Sequence, residues 1–272
     1  MIRSRLKRIA IVAGAGAVVT MTILAVNPFS AGADGTTTPT TTTVTGPSNL
    51  TAGHAAKFTA VVATASGPVT KTTGDTVTFT IVGSHSATAS CAGGSNVLTL
   101  SGKGKAVCKV PADTLSATAS PYEVTAVYSG DDTFATSTGD LSQTVAQAAS
   151  HLKLAYLAKP TSGGSSTFTA TVTGKAGTDP TGSVLFAVSA SPVASSSKLN
   201  CKHGNDQPLS ASSATPPVMT ATCVLDAGWF KVPASSSTTP KPEATWTVTA
   251  SYAGDGNYQP SPSASKNGSA KG

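Results

Sequence analysis

An internal repeat constrains the fold of this 272-residue chain more than any other feature. Six short landmarks occur twice in the same order, and the two occurrences lie roughly 110–124 residues apart. The longest landmark reads Val124-Thr-Ala-Val-Tyr-Ser-Gly-Asp131 in the first copy and Val248-Thr-Ala-Ser-Tyr-Ala-Gly-Asp255 in the second. The other pairs, first copy before second, are 57–62 and 167–172, 76–81 and 183–188, Cys91 and Cys201, Cys108 and Cys223, and 110–112 and 232–234. A period of this length is far longer than a solenoid repeat and close to one immunoglobulin-sized sandwich.

The repeated landmarks alternate apolar and polar residues with a period of two, which is typical of a strand with one buried face. The predicted inward positions are Phe58, Ala60, Val62, Val77, Phe79, Ile81, Val124, Ala126 and Tyr128, and in the second copy Phe168, Ala170, Val172, Val184, Phe186, Val188, Val248, Ala250 and Tyr252. Two sheets with such inner faces would pack about 10 Å apart. Between two of the landmarks, residues 96–100 and 105–109 read as a β-hairpin with a glycine-containing turn.

Composition agrees with an all-β chain. Charged residues make up 11% of the sequence and aromatic residues 5%, whereas the outer faces of helices are normally rich in Glu and Lys. Thr and Val suit strands, and Gly, Ser and Pro suit turns. We therefore predict two tandem immunoglobulin-like β-sandwich domains, at residues 46–147 and 148–264, followed by a polar tail at residues 265–272.

The pattern of a Val-Thr-Phe-type strand followed by Val-Thr-Ala-x-Tyr-x-Gly-Asp resembles the group 3 bacterial immunoglobulin-like repeats. The Tyr-x-Gly-Asp signature occurs as Tyr128-Ser-Gly-Asp131 and as Tyr252-Ala-Gly-Asp255. Such repeats are common in secreted and surface proteins, often of actinobacteria. The resemblance implies a sandwich used as a spacer, stalk or binding module, with no catalytic residues. The chain departs from the family by a cysteine pair in each copy and by longer segments near residues 191–197 and 235–242.

The first 33 residues read as a secretory signal peptide. A basic segment at residues 3–8 precedes an apolar stretch at residues 9–26, and Ala31-Gly32-Ala33 supplies the cleavage pattern. An uncleaved anchor is the alternative, since this apolar stretch could just span a bilayer. Residues 34–45 are rich in Thr and Pro, and we predict that they form an extended linker because they offer little apolar surface to bury.

The four cysteines occupy matched positions in the two copies, in a chain predicted to leave the cytoplasm. Four cysteines allow three pairings, and the repeat favours Cys91–Cys108 and Cys201–Cys223. Each disulfide would close a loop of roughly 16–22 residues, worth about 3 kcal/mol in the chain-entropy model. A metal or redox site is the alternative, but redox motifs use a C-x-x-C spacing that this sequence lacks.

Few residues are candidates for chemistry. The turns at residues 130–132 and 254–257 offer two or three oxygen ligands each, whereas calcium takes six to eight. We therefore interpret their aspartates as turn residues that bond their own backbone. Trp229 and Phe230 are the nearest thing to an exposed apolar anchor, and we treat them as weak binding candidates beside a structural role. No metal and no cofactor is expected.

Without residues 1–33 the chain carries 14 lysines, no arginine and 12 acidic residues, which makes it a poor candidate for nucleic-acid binding. It carries no recognisable catalytic motif either. We expect a secreted, non-enzymatic protein that acts in adhesion or binding, with a cell-wall polymer or another extracellular protein as partner. The alternatives are a passive spacer and an accessory carbohydrate-binding protein. We expect the partner site in the second copy, because it has the longer loops.

Overall fold

The computed structural model describes residues 37–70, 74–192, 199–212, 218–233 and 243–271. These segments are all-β apart from a 3₁₀ turn at Ser84–Ser86. The predicted signal peptide lies outside the described residues. Within the described segments, no helix has the length and apolar character needed to cross a membrane.

The first domain is a sandwich of two antiparallel sheets. Its strands are β1 (Thr41–Thr45), β2 (Leu50–Thr51), β3 (Ala56–Thr64), β4 (Gly67–Pro68), β5 (Thr76–Val82), β6 (Thr88–Ala89), β7 (Val97–Thr99), β8 (Lys105–Val110), β9 (Tyr122–Tyr128), β10 (Ser137–Gln143) and β11 (Val145–Ala146). Sheet I has the order β1-β3-β8, with the short β4 also on β3. Sheet II has the order β10-β9-β5, and β6 and β7 both pair with β5. A parallel pair of β2 and β11 lies beside them.

The second domain repeats this arrangement. Its strands are β12 (Ser150–Tyr156), β13 (Ser166–Gly174), β14 (Ser183–Ser191), β15 (Asp206–Pro208), β16 (Ser210–Ala211), β17 (Met219–Leu225), β18 (Glu243–Tyr252) and β19 (Ala264–Lys271). Sheet III has the order β12-β13-β17-β16, and sheet IV has the order β15-β14-β18-β19. Strands β12, β13 and β17 therefore correspond to β1, β3 and β8. This is the immunoglobulin-like layering of two aligned sheets, and each described sheet takes its strands from one copy only.

The predicted alternation of buried and outward residues is confirmed. Of the eighteen inward positions, all except Val188 are less than one tenth exposed, and Val188 packs partly buried against the same core. The residues between them on the strands are mostly Thr and Ser, which the pleat turns outward. Each fully buried large apolar side chain contributes about 1.5–3 kcal/mol to folding.

The segment predicted as a linker contains the first strand of the sandwich. Within residues 34–45, β1 pairs with β3 along its whole length, from Thr41 opposite Ala63 to Thr45 opposite Thr59. Thr42 and Val44 of this strand face inward and are buried. The Thr-rich composition hides the strand, yet β-branched Thr suits a strand once a neighbouring strand supplies hydrogen bonds.

The predicted polar tail is also a strand. In place of a tail at residues 265–272, β19 pairs with β18 from Ala264 opposite Ala250 to Lys271 opposite Glu243. Its half-buried positions hold only Ala and Gly, at Ala264, Gly268 and Ala270. Because these residues give a weak hydrophobic pattern, the sequence does not separate this edge strand from a polar terminus.

The predicted hairpin of residues 96–100 and 105–109 is wrong. Strand β7 pairs with β5 in sheet II, whereas β8 pairs with β3 in sheet I. The chain crosses between the sheets at residues 101–104, after Leu100 has bonded its N–H to the carbonyl of Asp75 at 3.0 Å and buried its side chain. Two neighbouring strands with similar alternation look the same in sequence whether they share a sheet or face each other.

Both predicted disulfides are confirmed. Cys91 bonds Cys108 and Cys201 bonds Cys223, with Cα–Cα distances of 5.1 and 5.0 Å. Cys108 lies in β8 of sheet I, whereas Cys91 lies in the connection between β6 and β7, which both pair with sheet II. Each disulfide therefore ties one sheet to a loop of the opposite sheet.

One asparagine in each copy connects the disulfide to the aromatic core. The amide oxygen of Asn96 accepts the N–H of Cys91 at 2.8 Å, and its carbonyl accepts the N–H of Phe79 at 2.9 Å. Asn205 makes the same two bonds with Cys201 and Phe186, at 2.9 and 2.8 Å. Sequence analysis missed this pair, although an Asn shortly after the first cysteine of each copy was a visible signal.

Replacing Asn96 by Ala should lower the free energy of unfolding by about 1 kcal/mol, because the N–H of Cys91 loses its acceptor. Asn96→Asp is the matched control, since a carboxylate oxygen can still accept that bond. Urea unfolding followed by circular dichroism gives both values. An Ala variant as stable as the unaltered protein would contradict the role of this side chain, as would an Asp variant that loses as much as Ala.

Candidate functional site: the aspartate corners and the seam between the domains

Each domain turns a tight corner at its Tyr-x-Gly-Asp sequence. The glycines, Gly130 and Gly254, have φ angles of 68° and 84°, a left-handed conformation that glycine adopts without a steric penalty. The aspartate after each glycine then closes the turn. Oδ1 of Asp131 accepts the N–H groups of Thr133 and Phe134, both at 2.7 Å. This confirms that the aspartate bonds its own turn.

The corner holds the segment that enters its own domain. In the first domain Thr38 forms a parallel bridge with Phe134, and its N–H donates to the carbonyl of Thr133 at 2.7 Å. In the second domain Ala148 forms the same bridge with Tyr258, and its N–H donates to the carbonyl of Asn257 at 2.8 Å. The repeated signature therefore has a structural task, which is to anchor the start of each sandwich.

The second corner carries more hydrogen bonds than its own turn requires. Oδ1 of Asp255 accepts the N–H groups of Asn257 and Tyr258 at 2.8 and 2.9 Å. Its Oδ2 accepts the N–H and the hydroxyl of Thr181 at 2.7 and 2.9 Å. Burial raises the pKa of Asp255, but these hydrogen bonds to the carboxylate outweigh burial and hold the pKa below its ordinary value.

The corner tyrosines are held in their neutral form. Burial, followed by the nearby charge of Asp255, raises the pKa of Tyr252 above its ordinary range. Burial, followed by the charge of Asp75, raises the pKa of Tyr128 in the same way. The hydroxyl of Tyr252 donates to the carbonyl of Thr181 at 3.0 Å. Both phenols therefore stay protonated at physiological pH, and the hydroxyl of Tyr252 braces the second corner through this bond.

The corners are poorly suited to a metal ion. Four hydrogen bonds already engage the two carboxylate oxygens of Asp255, whereas calcium needs six to eight oxygen ligands. Across the described ranges, no group of three or more His, Cys, Asp and Glu residues is placed to hold a metal ion.

Trp229 and Phe230 do not form an exposed anchor, so their prediction as weak binding candidates is wrong. Both side chains are fully buried. The indole N–H of Trp229 donates to the hydroxyl of Ser166 at 3.1 Å. Its ring lies 6.1 Å from Phe168 and 5.9 Å from Trp246 in edge-to-face contacts. These partners are distant in sequence, so the sequence alone gave no sign that this loop folds back onto the core.

The second corner also forms the seam between the two domains. The amide oxygen of Asn257 accepts the N–H of Ala117 in the first domain at 3.0 Å. Gly177 lies so close to Asp113 of the first domain that an added Cβ would sit 2.6 Å from the Cβ of that aspartate. Gln147, at the junction, donates its amide to the carbonyl of Asp255 at 2.6 Å. The domains are therefore in direct contact at a corner that also anchors the connecting chain.

An open cleft of about 590 Å³ runs beside this seam. Its lining is mostly glycine and charged side chains, including Asp113, Lys175 and Asp179, together with Thr178 and Tyr258. Small-molecule sites are typically enclosed and mainly apolar, with a few convergent polar groups. The cleft has neither property, so it is better described as the gap that two touching domains leave.

Trp229→Ala should lower the free energy of unfolding of the second domain by about 3–5 kcal/mol, because it empties a large volume in the core. Trp229→Phe keeps a ring in the cluster and loses the bond to Ser166, so it should cost clearly less. Thermal unfolding of the two variants measures the difference. A stability unchanged by the Ala substitution would show that the side chain is not packed as described.

Asp255 should make the protein sensitive to acid. Because its folded-state pKa lies below the unfolded value of about 3.9, its stabilisation is present above that value and is lost as pH falls through the folded pKa. Asp255→Asn should therefore flatten the fall of the unfolding free energy between about pH 5 and pH 2. The control is Asp206→Asn, at an exposed position of β15, which removes one carboxylate away from this corner. Equal slopes for D255N and the unaltered protein would refute this assignment.

No family model matches the chain, and no curated protein matches it. Among solved structures, the chain is similar to the tetra-tandem repeat in the extending region of a large adhesion protein, with 13% identity, a TM-score of 0.39, and coverage of 85% of this chain and 48% of that one. It is also similar to a mutant of Salmonella alpha-2-macroglobulin, with 13% identity, a TM-score of 0.32, and coverage of 85% and 16%. The chain spans less than half the length of either structure. The fold assignment rests on the strand order and register above, and the resemblance to group 3 repeats stays a prediction.

Proposed function

We propose that the chain is an extracellular, non-enzymatic module whose two sandwiches act together as one rigid spacer. The observation that carries this proposal is the junction between the domains, where almost every residue of the connecting chain is held.

The junction has little freedom along the chain. The first domain ends with β11, which pairs in parallel with β2. Ala148 is already bridged to Tyr258, and β12 of the second domain begins at Ser150. Gln147 between them is tied to the carbonyl of Asp255 through its side chain. Flexible linkers between domains are normally exposed and make few contacts, and this junction has the opposite character.

The contact between the domains supports the same conclusion. Asn257 bonds Ala117 across the seam, and Asn257 belongs to the turn that Asp255 fixes by hydrogen bonds. A tilt of one domain against the other would therefore break hydrogen bonds at the corner as well as at the seam. A pair of domains coupled in this way keeps a constant length and angle, which is what a spacer requires.

An exterior location is supported by the two disulfides. Disulfides form and persist in oxidising compartments and are rare in the cytosol. The predicted signal peptide at residues 1–33 points the same way, and its cleavage after Ala33 remains a prediction.

Adhesion is the second candidate function, and a separate observation favours it. The aromatic pair expected to serve as an anchor in the second domain is buried. In the first domain, in contrast, three exposed lysines lie on the outer face of one sheet, at Lys57, Lys105 and Lys109.

If the two domains form one rigid spacer, they should tumble together in solution. ¹⁵N relaxation of the disulfide-bonded protein should fit a single rotational diffusion tensor for amides of both domains, because the junction prevents independent motion. A variant with Gly-Gly-Ser inserted between Gln147 and Ala148 is the matched control, and it should give shorter and separate correlation times. Separate correlation times in the unaltered protein would contradict the spacer.

A further inference from the structure

Three exposed lysines of the first domain lie together on the outer face of sheet I. Lys57 in β3 stands directly opposite Lys109 in β8, and Lys105 lies further along β8 opposite Val61. All three lysines are exposed. We call Lys57, Lys105 and Lys109 the lysine face.

No carboxylate stands at the outward positions of β1, β3 and β8, which the structure describes in full. The outward positions of the three strands of sheet I hold Thr, Lys, Val and Ala only. The exposed acids on the strands of this domain, Glu123 and Asp140, lie on sheet II at the opposite side of the sandwich. There they accept hydrogen bonds from Ser142 and Thr125, both at 2.7 Å. The two outer faces of the first domain therefore carry opposite charge.

The fold itself does not require these lysines. Like charges directly opposite each other on neighbouring strands are destabilising. The matching register of the second domain, in which Phe168 faces Cys223 as Phe58 faces Cys108, identifies the equivalent positions. They are Thr167 for Lys57, Thr220 for Lys105 and Val224 for Lys109. These three positions thus hold lysine in the first sandwich and Thr or Val in the second.

Protection of a sheet edge explains only part of the pattern. Lysines on an edge strand prevent pairing with other chains, and β8 is the edge of sheet I, so Lys105 and Lys109 fit that role. That role does not explain why Lys57 stands directly opposite Lys109, on β3, whose residues Thr59–Ala63 pair with β1. Two lysines set against each other on neighbouring strands need a further reason.

We propose that the lysine face binds a linear polymer with repeated phosphate groups. Lys105 and Lys109 project from the same side of one strand, about 13 Å apart at the usual rise per residue, with half-exposed Val107 between them. Lysine presents a point charge that binds phosphate without fixed geometry, whereas the fork of arginine holds a single carboxylate or phosphate group by two parallel bonds. A flat row of lysines beside threonine hydroxyls fits an extended chain of phosphodiesters better than a compact anion.

This inference shares only the exterior location with the proposed function, so either one can fail alone. It places the partner site in the first domain rather than in the second, where the longer loops had predicted it. The reason is that charge density on one face, and not the total for a domain, determines the local field that a polymer meets.

The test uses the full disulfide-bonded chain and poly(glycerol phosphate) as the probe, with binding measured by isothermal titration calorimetry at several salt concentrations. The triple variant K57T/K105T/K109V imports the residues of the second domain at equivalent positions, so it should fold. It should bind at least about tenfold more weakly than the unaltered protein, since each lysine near an anionic surface contributes on the order of a factor of five.

Two further variants make the result specific. K153T/K159T/K202T removes the same charge from exposed positions of the second domain, and it should bind as the unaltered protein does. The second variant adds T167K/T220K/V224K to K57T/K105T/K109V and so rebuilds the lysine face on the second domain. This variant should bind poly(glycerol phosphate) again. Circular dichroism and thermal unfolding establish that each variant is folded.

Three outcomes would overturn the proposal. The first is equal binding by the unaltered protein and K57T/K105T/K109V, and the second is an equal loss in the charge-matched control. The third is tighter binding to polygalacturonate, a carboxylate polymer, than to poly(glycerol phosphate). Analytical ultracentrifugation tests whether a second copy of the chain occupies the lysine face instead. If the protein self-associates, and this association is lost in K57T/K105T/K109V but is unaffected by the polymer, the lysine face would bind the acidic sheet II of another molecule.

Discussion

The turn closed by an aspartate at each Tyr-x-Gly-Asp corner sets where each sandwich begins. A left-handed glycine lets the chain turn, and the following carboxylate bonds the backbone of the turn. The turn then offers a carbonyl and an N–H to the incoming segment, Thr38 in one domain and Ala148 in the other. In the second domain the same turn meets the first domain through Asn257. The hydrogen bonds of this turn therefore also help to set how the two domains meet.

The two domains stabilise the same architecture by different means. Both have a disulfide from one sheet to a loop of the other, and both have an asparagine that links this disulfide to a core phenylalanine. The second domain adds a cluster of rings around Trp229, including Phe168 and Trp246. The first domain lacks this cluster, and its two outer faces carry opposite charge. A duplicated scaffold has in this way kept its framework, while its core and its surface have diverged.

The parts that the sequence predicts well are those that depend on short-range pattern. Alternation identified the buried strands, and comparison of the two copies paired the cysteines. Prediction from the sequence failed where the alternation is weak or where the partner of a residue is distant in the sequence. Strands β1 and β19 present mainly Thr, Ser, Ala and Gly inward or at the edge, so they resembled a linker and a tail. The lysine face was hidden because Lys57 and Lys109 become neighbours only through the register of β3 and β8.

The aspartate corner should hold the connecting chain as firmly as the core of a sandwich is held. Native-state hydrogen exchange of the amides of Ala148 and Gln259 measures this, since both amides donate only within this junction. We expect them to exchange as slowly as amides in the middle of β13 and through the same global unfolding. Exchange through local opening, at the rate of an exposed loop, would contradict it.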